Sequence, residues 1–101
     1  MVYITLHLKK QWFEKIKSGE KTHEYRIAND YWHTRIQNLI DKGNLYGESI
    51  GIVFKLGYPK KDNENNSLIA VITEEPLIIN GKNTDLSINK PVYDLKFRLL
   101  G

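Results

Sequence analysis

Cysteine is absent from this chain of 101 residues. That excludes a disulfide framework and any thiolate-held metal site, and it agrees with a reducing compartment. Long apolar runs are missing as well: no stretch approaches the roughly 18 residues that a membrane span needs. The opening MVYITLHLKK lacks the basic-then-apolar order of a secretory signal. A cytoplasmic protein without a membrane partner is therefore expected. Metal-ligand spacing is lacking too, since no two of His7, His23 and His33 stand four residues apart. Neither a metal nor a cofactor is expected. Finally, charge of one sign is scarce. The net +3 alone names no partner, but it is unevenly spread. Residues 1 to 42 carry eight Lys or Arg against five Asp or Glu, and residues 43 to 101 carry seven against seven. The whole excess lies in the first part.

What is present suits one domain. At 101 residues, with 41% hydrophobic and 11% aromatic residues, the chain has the material for a single core, and residues 1–101 are read as one domain. VYITLHL (Val2 to Leu8) alternates apolar and polar positions, the period of a half-buried strand. KQWFEKIKSG then changes period, with Trp12, Phe13 and Ile16 on one helical face and Gly19 placed to end the helix. Thr22 to Ile27 reads as a second strand, with Thr22, Glu24 and Arg26 on one side and His23, Tyr25 and Ile27 on the other. The segment NDYWHTRIQNLIDKG predicts a second helix. Asn29 or Asp30 would be its N-cap, Trp32, Ile36, Leu39 and Ile40 its apolar stripe, and Gly43 its stop.

After Gly43 the pattern is that of strands. ESIGIVFKLG, SLIAVITEEPLII and PVYDLKFRLL are three strand-like runs, and the last alternates Tyr93, Leu95, Phe97 and Leu99 against Asp94, Lys96 and Arg98. YPKKDNENN between the first two reads as an exposed loop. NGKNTDLSINKP is either a hairpin at Asn80-Gly81 or a longer excursion returning Leu86 and Ile88 to the core. No internal repeat interrupts this order. Five or six short strands with two helices in the N-terminal half predict an α+β domain, its mainly antiparallel sheet curling into a small β-barrel.

The most informative stretch is SGEKTHEYRI, Ser18 to Ile27, where Gly19, Lys21, Glu24 and Arg26 make the pattern G-x-K-x-x-E-x-R. Set between this helix and this strand, the pattern resembles the ASCH family, the activating signal cointegrator homology domains. The resemblance covers roughly the first third of the chain in its motif, and the remaining strands in order and length. It implies a PUA-like β-barrel with a cleft beside the motif that takes RNA or a nucleotide-sized ligand. Some relatives are similar to small amidohydrolases that deacylate N4-acetylcytidine, and others have been described as ribonucleases. In the deacylating branch the motif lysine works with a threonine, where this chain has Glu24, and with a glutamate from a later strand. Lys21 is kept here, and Glu74 or Glu75 would be the later acid, Glu74 the better candidate.

The residues carry a chemistry of their own. Glu24 and Arg26, two apart on a strand, point to one face about 7 Å apart, within reach of one small ligand. A guanidinium forks onto phosphate or a base edge and a carboxylate accepts from an exocyclic amine, so with Lys21 at the strand's entry the set suits a nucleotide. A lysine becomes a base or nucleophile when desolvation or a neighbouring cation takes its proton near neutral pH. Glu24 opposes that unless Arg26 occupies its carboxylate, so binding is preferred to catalysis by Lys21 and Glu74. Tyr31 and Trp32 are candidate stacking surfaces for a base. Trp12, on the stripe with Phe13 and Ile16, and Tyr25, opposite Glu24, are assigned to the core. Lys60 and Lys61 are loop lysines able to touch phosphates. The expected partner is RNA or a modified nucleoside or nucleotide. A charged strand facing a protein partner is the remaining alternative.

Overall fold

Alternation in the first seven residues after Met1 does what it predicts. In the computed structural model, which describes residues 1–57 and 66–100, β1 (Val2–Leu8) turns Ile4, Leu6 and Leu8 into the core. The helix α1 (Lys10–Lys17) buries Phe13 and Ile16, and β2 (His23–Ile27) follows. Next comes α2 (Asp30–Tyr46), capped by Asn29, whose side chain accepts from the Trp32 N–H. Four strands complete the order: β3 (Ile50–Leu56), β4 (Ser67–Ile72), β5 (Leu77–Asn80) and β6 (Pro91–Leu99). The loop lysines Lys60 and Lys61 lie outside the described residues.

The strands form one six-stranded sheet in the order β1-β3-β4-β6-β2, with β5 also pairing β6. Only β1 and β3 run parallel, which follows from the long connection through α1, β2 and α2 between them. The remaining pairs are antiparallel. The sheet curls strongly into a half-barrel, so the α+β class and the barrel-like curvature are as the pattern predicts. Its concave side is filled by Leu6, Ile52, Phe54, Ala70, Leu95 and Phe97, with Phe13 and Ile16 from α1 and Ile36 and Leu39 from α2 closing over it. Along β6 the alternation holds, with Tyr93, Leu95 and Phe97 buried and Asp94, Lys96 and Arg98 not.

Three expectations need correction. Gly43 does not stop α2. It lies buried within the helix, where a β-carbon would come 2.6 Å from Ile50 Cγ2 and 3.1 Å from the Glu48 carbonyl. Glycine is needed there for the close approach of β3, and the left-handed cap falls one turn later at Gly47. The run SLIAVITEEPLII is two strands rather than one. Ile72 pairs with Phe97 and Leu77 with Asp94, so the four residues Thr73 to Pro76 stand against only Leu95 and Lys96. Such a bulge bends the strand and sharpens the curl of the sheet. Lastly, the connection after β5 is the longer excursion, beginning with a 3-10 turn at Gly81–Asn83, and Leu86 remains exposed instead of returning to the core.

No helix among the described residues is long and apolar enough to cross a membrane.

Candidate functional site

The half-barrel leaves β1 and β2 at the two ends of the sheet order, and a hollow opens beside both of them. It is a cleft of about 460 Å³, within the range of small-ligand sites. His7 and Leu8 line it from β1, Glu24 to Ile27 from β2, Trp12 from α1 and Trp32 from α2. Asp85, Leu86 and Ile88, from the β5–β6 connection, complete its wall. β1, β2, both helices and the β5–β6 connection thus contribute to one concavity.

Local structure delivers Glu24 and Arg26 of the motif to it, while Lys21 lines an adjoining hollow with Thr22 and His23. After α1, Gly19 takes φ +84°, a conformation that side chains other than glycine rarely adopt. Its N–H donates to the Ile16 carbonyl while the Lys21 N–H donates to the Lys15 carbonyl, so the chain reverses tightly and brings Lys21 to the start of β2. Glu24 then faces inward opposite Leu95 of β6, and Arg26 opposite Tyr93.

The three heads converge. Glu24 Oε1 lies 3.5 Å from Lys21 Nζ and 3.3 Å from Arg26 Nη1, and it accepts from the Tyr25 N–H at 3.0 Å. The side chains are 6%, 8% and 17% exposed for Glu24, Lys21 and Arg26, a burial that charged residues show only when paired. Arg26 also donates from Nη1 to the Tyr25 carbonyl at 2.8 Å. The other carboxylate oxygen, Glu24 Oε2, is buried without a hydrogen-bond partner among the described residues. An unsatisfied, desolvated acceptor is costly, and this one belongs to a residue that lines the cleft.

Sequence reasoning missed Asp85. Its carboxylate pairs with the Lys21 ammonium across 64 positions of sequence. Lys21 Nζ also lies 5.5 Å from the Trp12 ring centroid and 5.0 Å from that of Tyr25, so two carboxylates and two aromatic faces surround it. The apolar walls that a neutral amine needs are not what Lys21 meets.

The remaining candidates divide. Trp32 lines the cleft and carries the Arg26 guanidinium 5.3 Å from its ring centroid. Tyr31 is 60% exposed and stands edge-on to Trp32 in a neighbouring hollow, outside the cleft itself. Glu74 is not brought to Lys21: it is 58% exposed, pairs with Lys96 Nζ at 3.0 Å and lines a different hollow with Glu75. Two residues assigned to the core line the cleft as well. Trp12 packs on the core with one side only, and Tyr25 is half-buried. Trp12 stands on α1, and Tyr25 on β2 at one end of the sheet order, on the strand face opposite Glu24. Among the described residues no cluster of histidine and carboxylate side chains could hold a metal ion.

Burial raises the Tyr25 phenol above its ordinary value of 10.0, and the carboxylates of Asp94, Asp85 and Glu24 add to the effect. The folded protein therefore holds this proton when the unfolded chain releases it. Its contribution to stability is complete below about pH 10 and is lost as pH rises through the higher folded value. Thermal melts at increasing alkaline pH are expected to show a steeper loss for wild type than for Tyr25→Phe. Parallel curves would refute the assignment.

Compared with known proteins, the chain matches no family model and no curated relative.

Proposed function

We propose that the cleft takes a base of RNA, or of a modified nucleoside or nucleotide, and that the chain is a PUA-like domain of the ASCH type. The observation that carries this is Glu24, a lining residue whose buried Oε2 has no hydrogen-bond partner among the described residues, in a cleft that both indoles of the chain line. A carboxylate accepts from an exocyclic amine, and an indole offers a face on which a base stacks. The Arg26 guanidinium, already neutralised by Glu24, is positioned for a base edge or a sugar oxygen rather than for a strong anion. The G-x-K-x-x-E-x-R motif supports the family reading, because its lysine, glutamate and arginine meet around a single carboxylate oxygen.

The only two tryptophans, Trp12 and Trp32, both line the cleft, so intrinsic fluorescence reports directly on its occupation. Titration with short single-stranded RNA and with free N4-acetylcytidine is expected to quench this emission. For RNA, log affinity should fall with log salt by about 0.7 per phosphate contacted. An emission unchanged by every nucleoside and oligonucleotide tested would sink the reading. Release of cytidine from N4-acetylcytidine in the same samples, lost in Lys21→Met, would instead assign Lys21 to hydrolysis.

A further inference from the structure

Beside the cleft lies a second hollow, of about 430 Å³, lined by Thr5, His7, Arg26, Tyr31, Trp32 and Arg35. It shares His7, Arg26 and Trp32 with the cleft, so the two adjoin. No carboxylate among the described residues lines it. We propose that this hollow holds the phosphate of the nucleotide whose base enters the cleft, so that the ligand is a phosphorylated nucleoside rather than a bare one.

Arg35 is the residue that argues for it. Unlike Arg26, whose charge Glu24 answers, Arg35 has no carboxylate partner among the described residues. Its guanidinium is nevertheless held in place. Nη2 donates to the Thr5 carbonyl at 3.1 Å and Nη1 to the Tyr31 hydroxyl at 3.3 Å. Its central carbon lies 4.9 Å from the Trp32 ring centroid and 5.6 Å from that of Tyr31. A guanidinium fixed by ring faces and neutral oxygens keeps its charge and the remainder of its N–H fork for a planar or tetrahedral oxyanion, with little side-chain entropy left to lose on binding. Both guanidinium groups neighbour Trp32, Arg26 at 5.3 Å and Arg35 at 4.9 Å from its ring centroid. A base held in the cleft beside Trp32 would therefore have its phosphate on the side of Arg35.

This inference rests on the cleft reading above, and the experiment separates the two. Calorimetric titration would compare cytidine and N4-acetylcytidine with their 5′-monophosphates and with an RNA of about six nucleotides. The phosphate is expected to tighten binding at least about tenfold. Arg35→Gln should remove that gain while leaving nucleoside affinity unchanged, and Arg35→Lys, which keeps the charge but not the fork, should restore part of it. An RNA tighter than the mononucleotide identifies a phosphodiester as the source, and equal affinity a terminal phosphate. In parallel, inorganic phosphate is titrated while the Arg35 Nε–H signal is followed by NMR, where a saturable shift is expected. Equal binding of nucleoside and nucleotide, or an unmoved Arg35 signal, overturns the phosphate site and leaves the cleft reading intact. Failure of nucleosides and nucleotides alike overturns the cleft reading, and the phosphate titration still decides the site beside it.

Discussion

Glu24→Gln is expected to keep the fold and lose the ligand, whereas Glu24→Ala is expected to damage both. The carboxylate sits between Lys21 and Arg26, and all three are largely withdrawn from water. Removing it altogether leaves two cations facing each other in a poorly solvated site, and breaking a buried pair in this way costs about 3–5 kcal/mol. Asp85 still answers Lys21, which places the loss nearer the lower figure. Glutamine has nearly the same shape and keeps an oxygen for the Tyr25 N–H, so urea unfolding should show a smaller loss. Its second group, however, is an NH₂ that can only donate where Glu24 Oε2 can only accept. A ligand amine would then meet a donor, and affinity should fall by about 10- to 100-fold, the range of one charge-assisted hydrogen bond. Wild-type affinity in Glu24→Gln would show that the carboxylate does not read the ligand. Unchanged stability in Glu24→Ala would show that the ion cluster contributes nothing to the fold.

Legibility in the sequence depended on how local each feature is. The strand Val2–Leu8, the helix carrying Phe13 and Ile16, and the alternation from Tyr93 to Phe97 are set by neighbours within a few residues, and they stand where the pattern puts them. The convergence of Lys21, Glu24 and Arg26 was legible for the same reason, since a tight cap and a two-residue strand period suffice to bring them together. Gly43 misleads because an interior glycine demanded by the approach of Ile50 is spelled like a helix stop. The break at Thr73 to Pro76 is visible only once β6 is there to count against. Asp85 was illegible, lying in an irregular connection whose position is fixed by the sheet and not by its own composition. Glu74 and Asp85 illustrate the difference: both are acids after a strand, yet only the second is carried back across the cleft.

Phe54→Ala is expected to produce the opposite dissociation, a protein that binds normally while it remains folded. Phe54 is fully buried on β3, and its ring lies 4.9 Å from that of Phe97 on β6, tilted by 58°. These strands are separated in the sheet by β4, so the contact reaches across the concave side and joins the two walls of the half-barrel. Truncation removes that bridge and leaves a cavity, at a cost of about 3–5 kcal/mol. For a domain of this size each kcal/mol lowers the melting temperature by roughly 4–8 °C, and the loss is a large part of a total of about 5–15 kcal/mol. Yet Phe54 does not line the cleft. In the folded population, kept by low temperature, ligand affinity should match wild type while urea midpoints fall sharply. If affinity falls as well, the cleft is held in shape by the strain of the curled sheet as a whole and not by the cap, strand and ion pairs that surround it. The pairing of Phe54→Ala with Glu24→Gln thus tests whether this chain keeps the forces that curl its sheet separate from the few groups that face a ligand.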